Sequence, residues 1–284
     1  MITAPEAMLL TKIEEPFDDL RYIFEPKIDG HRLLLVKKDG ELRLFTRHAN
    51  DVTERYPELH TPPLNCSSVI LDGEAAYVDP VMGTIDFETV MERFRIKQAP
   101  KIQEAMRRLP VQYFVFDVLE VDGRDVRRLP LMERKQLLDS VLGENDHFRK
   151  VLRVDGAGKA LFDVIKQQKL EGIVAKLKDS TYEGRRSEKW LKVINYTYAD
   201  VQIGGYRKDE FGWLARYNGR PVGIIELAVP AAHRKAFYRI AQSIVTGEDR
   251  NFVYVQPVIT TRVRFRNWYK SGMLRSPEFV DFVI

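Results

Sequence analysis

Two short apolar runs joined by a charged turn constrain this chain more than any other feature. Arg32–Val36 reads Arg-Leu-Leu-Leu-Val and Leu42–Thr46 reads Leu-Arg-Leu-Phe-Thr, with Lys37-Lys38-Asp39-Gly40 between them. The Asp-Gly pair accepts the backbone angles that a tight reversal needs, so the segment predicts an antiparallel hairpin. Val69–Val78 and Val111–Leu119 are rich in β-branched and aromatic residues and predict further strands. Helical periodicity occurs at Phe87–Phe94, Leu131–Leu142 and Ala160–Gln168. Strands spaced this unevenly among helices argue for an α+β fold with mixed and antiparallel sheets, not a regular βαβ array.

Past about Asn195 the texture changes. Val201–Tyr206, Gly212–Tyr217, Val222–Val229, Val253–Ile259 and Arg262–Trp268 read as strands, with a helix at Ala231–Val245 before the fourth. That succession predicts a small Greek-key barrel of the OB type. The expected organisation is one domain over residues 1–195 and a barrel domain over 196–284. A chain of 284 residues with 44% apolar content can build such cores. Its one cysteine, Cys66, excludes an internal disulfide framework and a Cys-rich zinc site, and is expected to be a packing residue. His31, His48, His60, His147 and His233 lack metal-ligand spacing. No run approaches the ~18 apolar residues of a membrane-spanning helix, and the first residues lack a signal-peptide pattern. A cytoplasmic protein with no membrane partner is therefore expected. The net charge of +4 permits a polyanionic partner without requiring one.

The segment richest in chemistry is Glu25-Pro26-Lys27-Ile28-Asp29-Gly30-His31-Arg32. It sets a lysine where Pro26 breaks a strand, beside an acid and a tight turn, with an arginine just beyond. An amine is nucleophilic only when unprotonated, so such a lysine needs burial, nearby cations or a metal. From the residues alone, this predicts a lysine-centred phosphate site with acidic metal partners, and a plain surface lysine is the alternative.

The order of motifs resembles that of the ATP-dependent DNA ligases, members of the covalent nucleotidyltransferase superfamily. Lys27-Ile-Asp29-Gly30-His-Arg32 is similar to their nucleophile motif, and Leu44-Phe-Thr46-Arg47 to the short element after it. Leu71-Asp72-Gly73-Glu74, Tyr113-Phe-Val-Phe116-Asp117 and Glu171-Gly172-Ile-Val-Ala-Lys176 follow in family order, then Tyr182–Lys192. Asn267–Pro277 resembles the ligase module of bacterial Ku-associated end-joining enzymes and their small stand-alone or prophage relatives.

The resemblance implies a nucleotidyltransferase (adenylation) domain followed by an OB-fold domain. It also implies a nick-sealing activity that uses ATP, held as covalent AMP, together with Mg²⁺ or Mn²⁺. Lys27 would be the nucleophile and Glu25 an adenine contact. Arg32 and Arg47 would meet ribose and phosphates, and Arg47 also nucleic acid, as guanidinium forks do well. Glu74 would hold the ribose or a metal water, Phe116 would stack on adenine, and Glu171 would help hold the metal. Arg186 and Lys192 would close on the α-phosphate. Asp72 and Asp117 remain ambiguous between structural and metal roles. Nicked duplex DNA is the implied partner, a Ku-like end-binding protein a candidate one, and a nucleoid-associated monomer the expected state.

Two departures stand out. The family's Lys-x-Lys is Lys192-Val-Ile194 here, with Lys189 a candidate substitute, and its Arg-x-Asp-Lys close is missing from Phe279–Ile284. Slow self-adenylylation is the expectation drawn from them. Arg262, Arg264 and Arg266 alternate along one strand and so share a face, which predicts contact with a nucleic-acid backbone. An RNA ligase, a capping guanylyltransferase and a relative that binds nucleic acid after losing catalysis are the rival readings.

Overall fold

The computed structural model describes residues 2–283 and divides into two compact units, the first ending at Asn195 and the second beginning at Tyr196. Met1 and Ile284, the outermost residues of the expected domains, lie outside the described residues.

The first unit runs β1 (Leu9–Lys12), β2 (Tyr22–Pro26), β3 (His31–Lys38), β4 (Glu41–Thr46), β5 (Val69–Ala76), α1 (Phe87–Arg95), α2 (Ala99–Arg108) and β6 (Gln112–Val121). It continues through β7 (Arg124–Asp125), α3 (Leu131–Val141), β8 (Phe148–Lys150), β9 (Val154–Asp155), α4 (Gly158–Gln167), β10 (Gly172–Leu177) and β11 (Arg186–Ile194). The strands form two sheets, ordered β1-β11-β10-β2-β9 and β4-β3-β5-β6-β7, with β8 added beside β6. The β3–β4 hairpin closes at Asp39 and Gly40, with φ of 51° and 79°, as the Asp-Gly pair predicts.

The run Leu33–Val36 lacks polar alternation because β3 is buried on both faces. Leu33 and Leu35 enter a core with Tyr113, Val115 and Leu138. Leu34 and Val36 enter a second core shared with Ile23 and Trp190 of the other sheet. The two sheets thus meet across this second core, and α4 covers the outer side of β2 and β10 through Phe162 and Ile165 against Phe24 and Ile173. Cys66 packs at the rim of the first core, where burial raises its thiol pKa.

The second unit comprises β12 (Thr197–Arg207), β13 (Trp213–Tyr217), β14 (Arg220–Ile225), α5 (Ala231–Ala241), β15 (Val245–Glu248), β16 (Phe252–Phe265) and β17 (Glu278–Phe282). Strand order is β14-β13-β12-β16-β15 with β17 on the same β16. A parallel bridge between Leu227 and Glu278, supported by Phe279 N donating to Leu227 O at 3.0 Å, joins the end of β14 to β17 and closes the barrel. The circuit β12-β13-β14-β17-β16 is that of an OB-type barrel, so the fold is α+β with a barrel second.

The strand assignment changes at its end. The expected fourth and fifth strands are one long strand, β16, and the fifth stave is Glu278–Phe282. The two halves merge because β16 pairs with β12 from Phe252 to Phe265 across one irregularity at Ile203/Gly205. Among the described residues, no helix is long and apolar enough to cross a membrane.

Candidate active site

A cleft of about 410 Å³ opens in the first unit, lined by Glu25, Lys27, Arg32, Glu74, Phe116, Lys176 and apolar neighbours that include Leu10 and Trp190. Local pairing puts these side chains together. Glu25 on β2 faces Val174 on β10, and Arg32 on β3 faces Glu74 on β5, so both sheets deliver charged groups to one opening.

Lys27 follows the last residue of β2, and its backbone N–H donates to Gly172 O at 2.9 Å. Its ammonium donates to Glu171 Oε2 at 2.6 Å, with the Glu171 side chain only 2% exposed. Gly30 explains the glycine of this motif: a Cβ there would sit 2.1 Å from Ala75 O and 3.1 Å from Glu74 Cγ. Only a residue without a side chain lets the loop press onto β5 beside Glu74. The Glu74 carboxyl is pushed up to about 7, first by burial and also by the like charges of Glu171 and Asp29, while Lys27 and Arg32 pull it down.

Arg32 is committed to a partner left ambiguous by the sequence. Its Nε and Nη2 donate to Asp72 Oδ1 and Oδ2 at 2.5 and 2.6 Å, and Nη2 also reaches Met8 O at 3.2 Å. Asp72 further accepts from the Tyr182 hydroxyl at 2.6 Å. Asp117 likewise has a structural partner, Arg134, which donates to both of its oxygens at 2.9 Å.

Glu25 is 2% exposed, and its carboxylate lies between two lysines. Lys176 Nζ lies 2.7 Å from Oε2, and Lys135 Nζ bonds Oε1. Lys176 Nζ is also 4.2 Å from the Phe116 and the Trp190 ring centroids, and Arg32 Cζ is 4.5 Å from that of Phe116. The ring expected to stack on a base therefore already carries two cations. Burial lowers the Lys176 pKa to about 8, against the opposing pull of Glu25.

Lys176 ends the Glu171–Lys176 motif, a place to which the resemblance gives no role. Lys135 could not be found locally, because 110 residues separate it from Glu25.

Other expected residues fall elsewhere. Arg47 is exposed one residue past β4, beside His48 Nε2 at 3.3 Å. Arg186 opens β11, exposed, and donates to Leu10 O. Neither lines the cleft. Lys192 lies half-buried on β11 between Lys12 and Val174. The candidate substitute Lys189 pairs with Glu183 at 2.8 Å.

In the second unit, Arg262 and Arg264 do alternate on one face, but each meets an acid. Arg262 donates to Asp200 at 2.7 and 3.0 Å, and Arg264 to Glu278 at 2.8 Å. Arg266 lies just beyond β16, its backbone N–H donating to Arg275 O.

No group of three or more His, Cys, Asp or Glu side chains among the described residues could hold a metal ion. Glu74 and Glu171 remain the carboxylates beside Lys27. A hard cation that binds through one or two carboxylates plus phosphate oxygens fits that pair by donor chemistry.

The family model for the ATP dependent DNA ligase domain matches residues 6–193. The chain belongs to the ATP-dependent DNA ligase family. Within this ligase family, the SPbeta prophage-derived DNA ligase-like protein LigB of Bacillus subtilis is 40% identical, covering 96% of both chains. The multifunctional non-homologous end joining protein LigD of Mycolicibacterium smegmatis is 26% identical over 91% of this chain, which spans only 35% of LigD. Two solved ligases share the fold of this family member. A Lig E DNA ligase matches at TM-score 0.66 and 16% identity, covering 97% of this chain and all of the other. Mycobacterial DNA ligase D, complexed with ATP and MES, matches at 0.58 and 24%, covering 98% and 95%.

Proposed function

We propose that this chain seals nicks in duplex DNA, with Lys27 carrying AMP from ATP to the DNA end. The lone pair of neutral Lys27 Nζ attacks the α-phosphorus of ATP, the bond to the bridging oxygen breaks, and pyrophosphate leaves with that electron pair. The amine must shed a proton, and Glu171 Oε2 at 2.6 Å from Nζ is the acceptor within reach. A DNA 5′-phosphate oxygen then attacks the AMP phosphorus, and the amine departs and regains a proton. Finally the 3′-hydroxyl oxygen attacks the activated 5′-phosphorus and loses its proton to solvent, while the bond to AMP breaks and AMP leaves with that electron pair. Each step is a phosphoryl transfer, in which positioning and charge neutralisation do most of the catalysis.

Glu25, Lys176 and Phe116 form the base end of the site in this reading, and Arg32 and Glu74 the ribose and phosphate end. Glu74 with Glu171 would hold Mg²⁺ or Mn²⁺, which neutralises phosphate charge when bound. Arg47, Arg186 and Lys192 would act from the margins, and Arg262, Arg264 and Arg266 would face DNA. The first unit would be the adenylating domain. The enzyme would work as a cytoplasmic, nucleoid-associated monomer in repair or end joining, with a Ku-like protein as candidate partner.

The observation that carries the proposal is the Lys27 amine, 18% exposed and bonded to the buried Glu171 carboxylate beside a cleft that Glu74 also lines. The test incubates the protein with α-labelled ATP, GTP or NAD and looks for an adduct that survives denaturation. Label from ATP that is absent in Lys27→Ala, and chases onto nicked DNA, supports the reading. An unchanged adduct in Lys27→Ala overturns the site. Nicks with RNA on the 3′ side sealed better than DNA nicks would point to the RNA-ligase rival.

A further inference from the structure

A second concavity of the first unit carries charge that the cleft does not use. About 990 Å³ of solvent-open space is bounded by Asn50, Asp51, Val52, Arg55, Phe94, Arg95 and Lys97. Its one acid is already engaged: Asp51 accepts from Arg43 at 3.3 Å and from the Thr53 backbone and hydroxyl at 2.9 and 2.6 Å. Arg55, Arg95 and Lys97 therefore set its sign. The groove is rigid at its base. Arg55 Nη1 donates to Phe94 O at 2.9 Å, and its Cζ lies 4.8 Å from the Phe94 ring centroid. Beneath, the His31 ring packs 4.8 Å from Phe94 and its Nε2 bonds the Tyr56 hydroxyl at 2.5 Å. His31 stands at the start of β3, one residue after the Gly30 turn, so groove and nucleophile loop share a wall.

We infer that this groove holds the phosphodiester backbone of the duplex beside the nick, with Arg55, Arg95 and Lys97 as its phosphate contacts. The inference rests on the nick-sealing reading and adds a place for the flanking DNA. The chemistry favours a duplex over a single strand, because Arg55 and His31 cover the Phe94 ring. Single-strand sites offer bare aromatic faces on which bases stack, whereas a duplex presents phosphates. Openness favours a polymer over a free nucleotide, whose sites enclose most of the ligand. Contacts of this type fix register without reading sequence.

The test compares the parent protein with Arg95→Ala/Lys97→Ala for binding to a nicked duplex across a salt series. Each lost phosphate contact reduces the slope of log K against log salt by about 0.9, so the double variant should lose about 1.8. If both lines meet near 1 M salt, binding at 0.1 M weakens by roughly 60-fold. Labelling from ATP alone, and its KM, should not move. A parental slope in the variant overturns the inference, as does a raised KM for ATP, which would make the groove a nucleotide site. An equal loss on a single-stranded oligonucleotide overturns the assignment to duplex. Failure of the parent to form a Lys27 adduct would sink the nick-sealing reading alone, since the salt slope needs no catalysis.

Discussion

Glu25→Gln should unfold this protein more easily than removal of either lysine that surrounds it. Burial alone would raise the Glu25 pKa, but Lys135 and Lys176 overcome it and hold the carboxyl below its ordinary range. Glu25 thus contributes stability above the unfolded carboxylate range, and that contribution is lost as pH falls through its lowered value. Replacing the carboxylate leaves two ammonium groups, 1% and 3% exposed, without a counter-charge. Breaking a buried pair in that way costs about 3–5 kcal/mol. Lys135→Met leaves Glu25 paired with Lys176, so its cost should stay near 1–2 kcal/mol.

The pH dependence has a definite sign. Lys176 titrates at about 8 in the folded protein, below the ~10.4 of an unfolded lysine. The unfolded state binds more protons between those values, so stability rises with pH across that window. Loss of Glu25 removes the group that raises Lys176, which widens the window downward. The deficit of Glu25→Gln relative to the parent should therefore shrink from pH 7 to pH 10. Urea unfolding followed by circular dichroism at both pH values measures it. A larger loss in Lys135→Met than in Glu25→Gln at pH 7, or a deficit equal at pH 7 and 10, would refute the reasoning.

Two further substitutions test other joints. Arg134 is wholly buried, grips Asp117 with two hydrogen bonds and also donates to Leu129 O and Ser180 O at 2.6 and 2.9 Å. Arg134→Met should cost about 3–5 kcal/mol in urea unfolding, and Arg134→Lys should restore little because the fork is lost. Gly30→Ala forces a methyl group to within 2.1 Å of Ala75 O. It should destabilise by about 1–3 kcal/mol and cut adenylate labelling more than tenfold by displacing Lys27. Labelling at the parental rate would show that the turn does not position the amine.

Local chemistry was legible where short-range rules govern. The Asp39-Gly40 turn, the hairpin it closes and the motif around Lys27 each follow from neighbouring residues. What escaped was long-range or weakly patterned. Helix α2 has only ten residues, with Pro100 in its first turn, and buries only Ile102 and Ala105, so too few apolar residues mark it as a helix. Strand β17 buries only Phe279, so alternation hardly shows in Glu-Phe-Val-Asp-Phe. The arginines of β16 do share a face, but Asp200 lies 62 residues from Arg262, and no local pattern reveals that the charge is met. The Glu25–Lys135–Lys176 cluster was hidden for the same reason.

Strand β1 pairs in parallel with β11, and the Thr11 hydroxyl reaches Ser187 O across 176 residues of chain. The same segment supplies Leu10 to the cleft and Met8 O to Arg32. During synthesis, residues 9–12 leave the ribosome early yet lack their strand partner until Arg186–Lys192 has followed them out. The β3–β4 hairpin can form long before, because its closure is local, while this parallel pair bears the delay of a distant contact. The cleft is therefore among the last parts of the first unit to mature, and a nascent chain shorter than that cannot assemble its far wall.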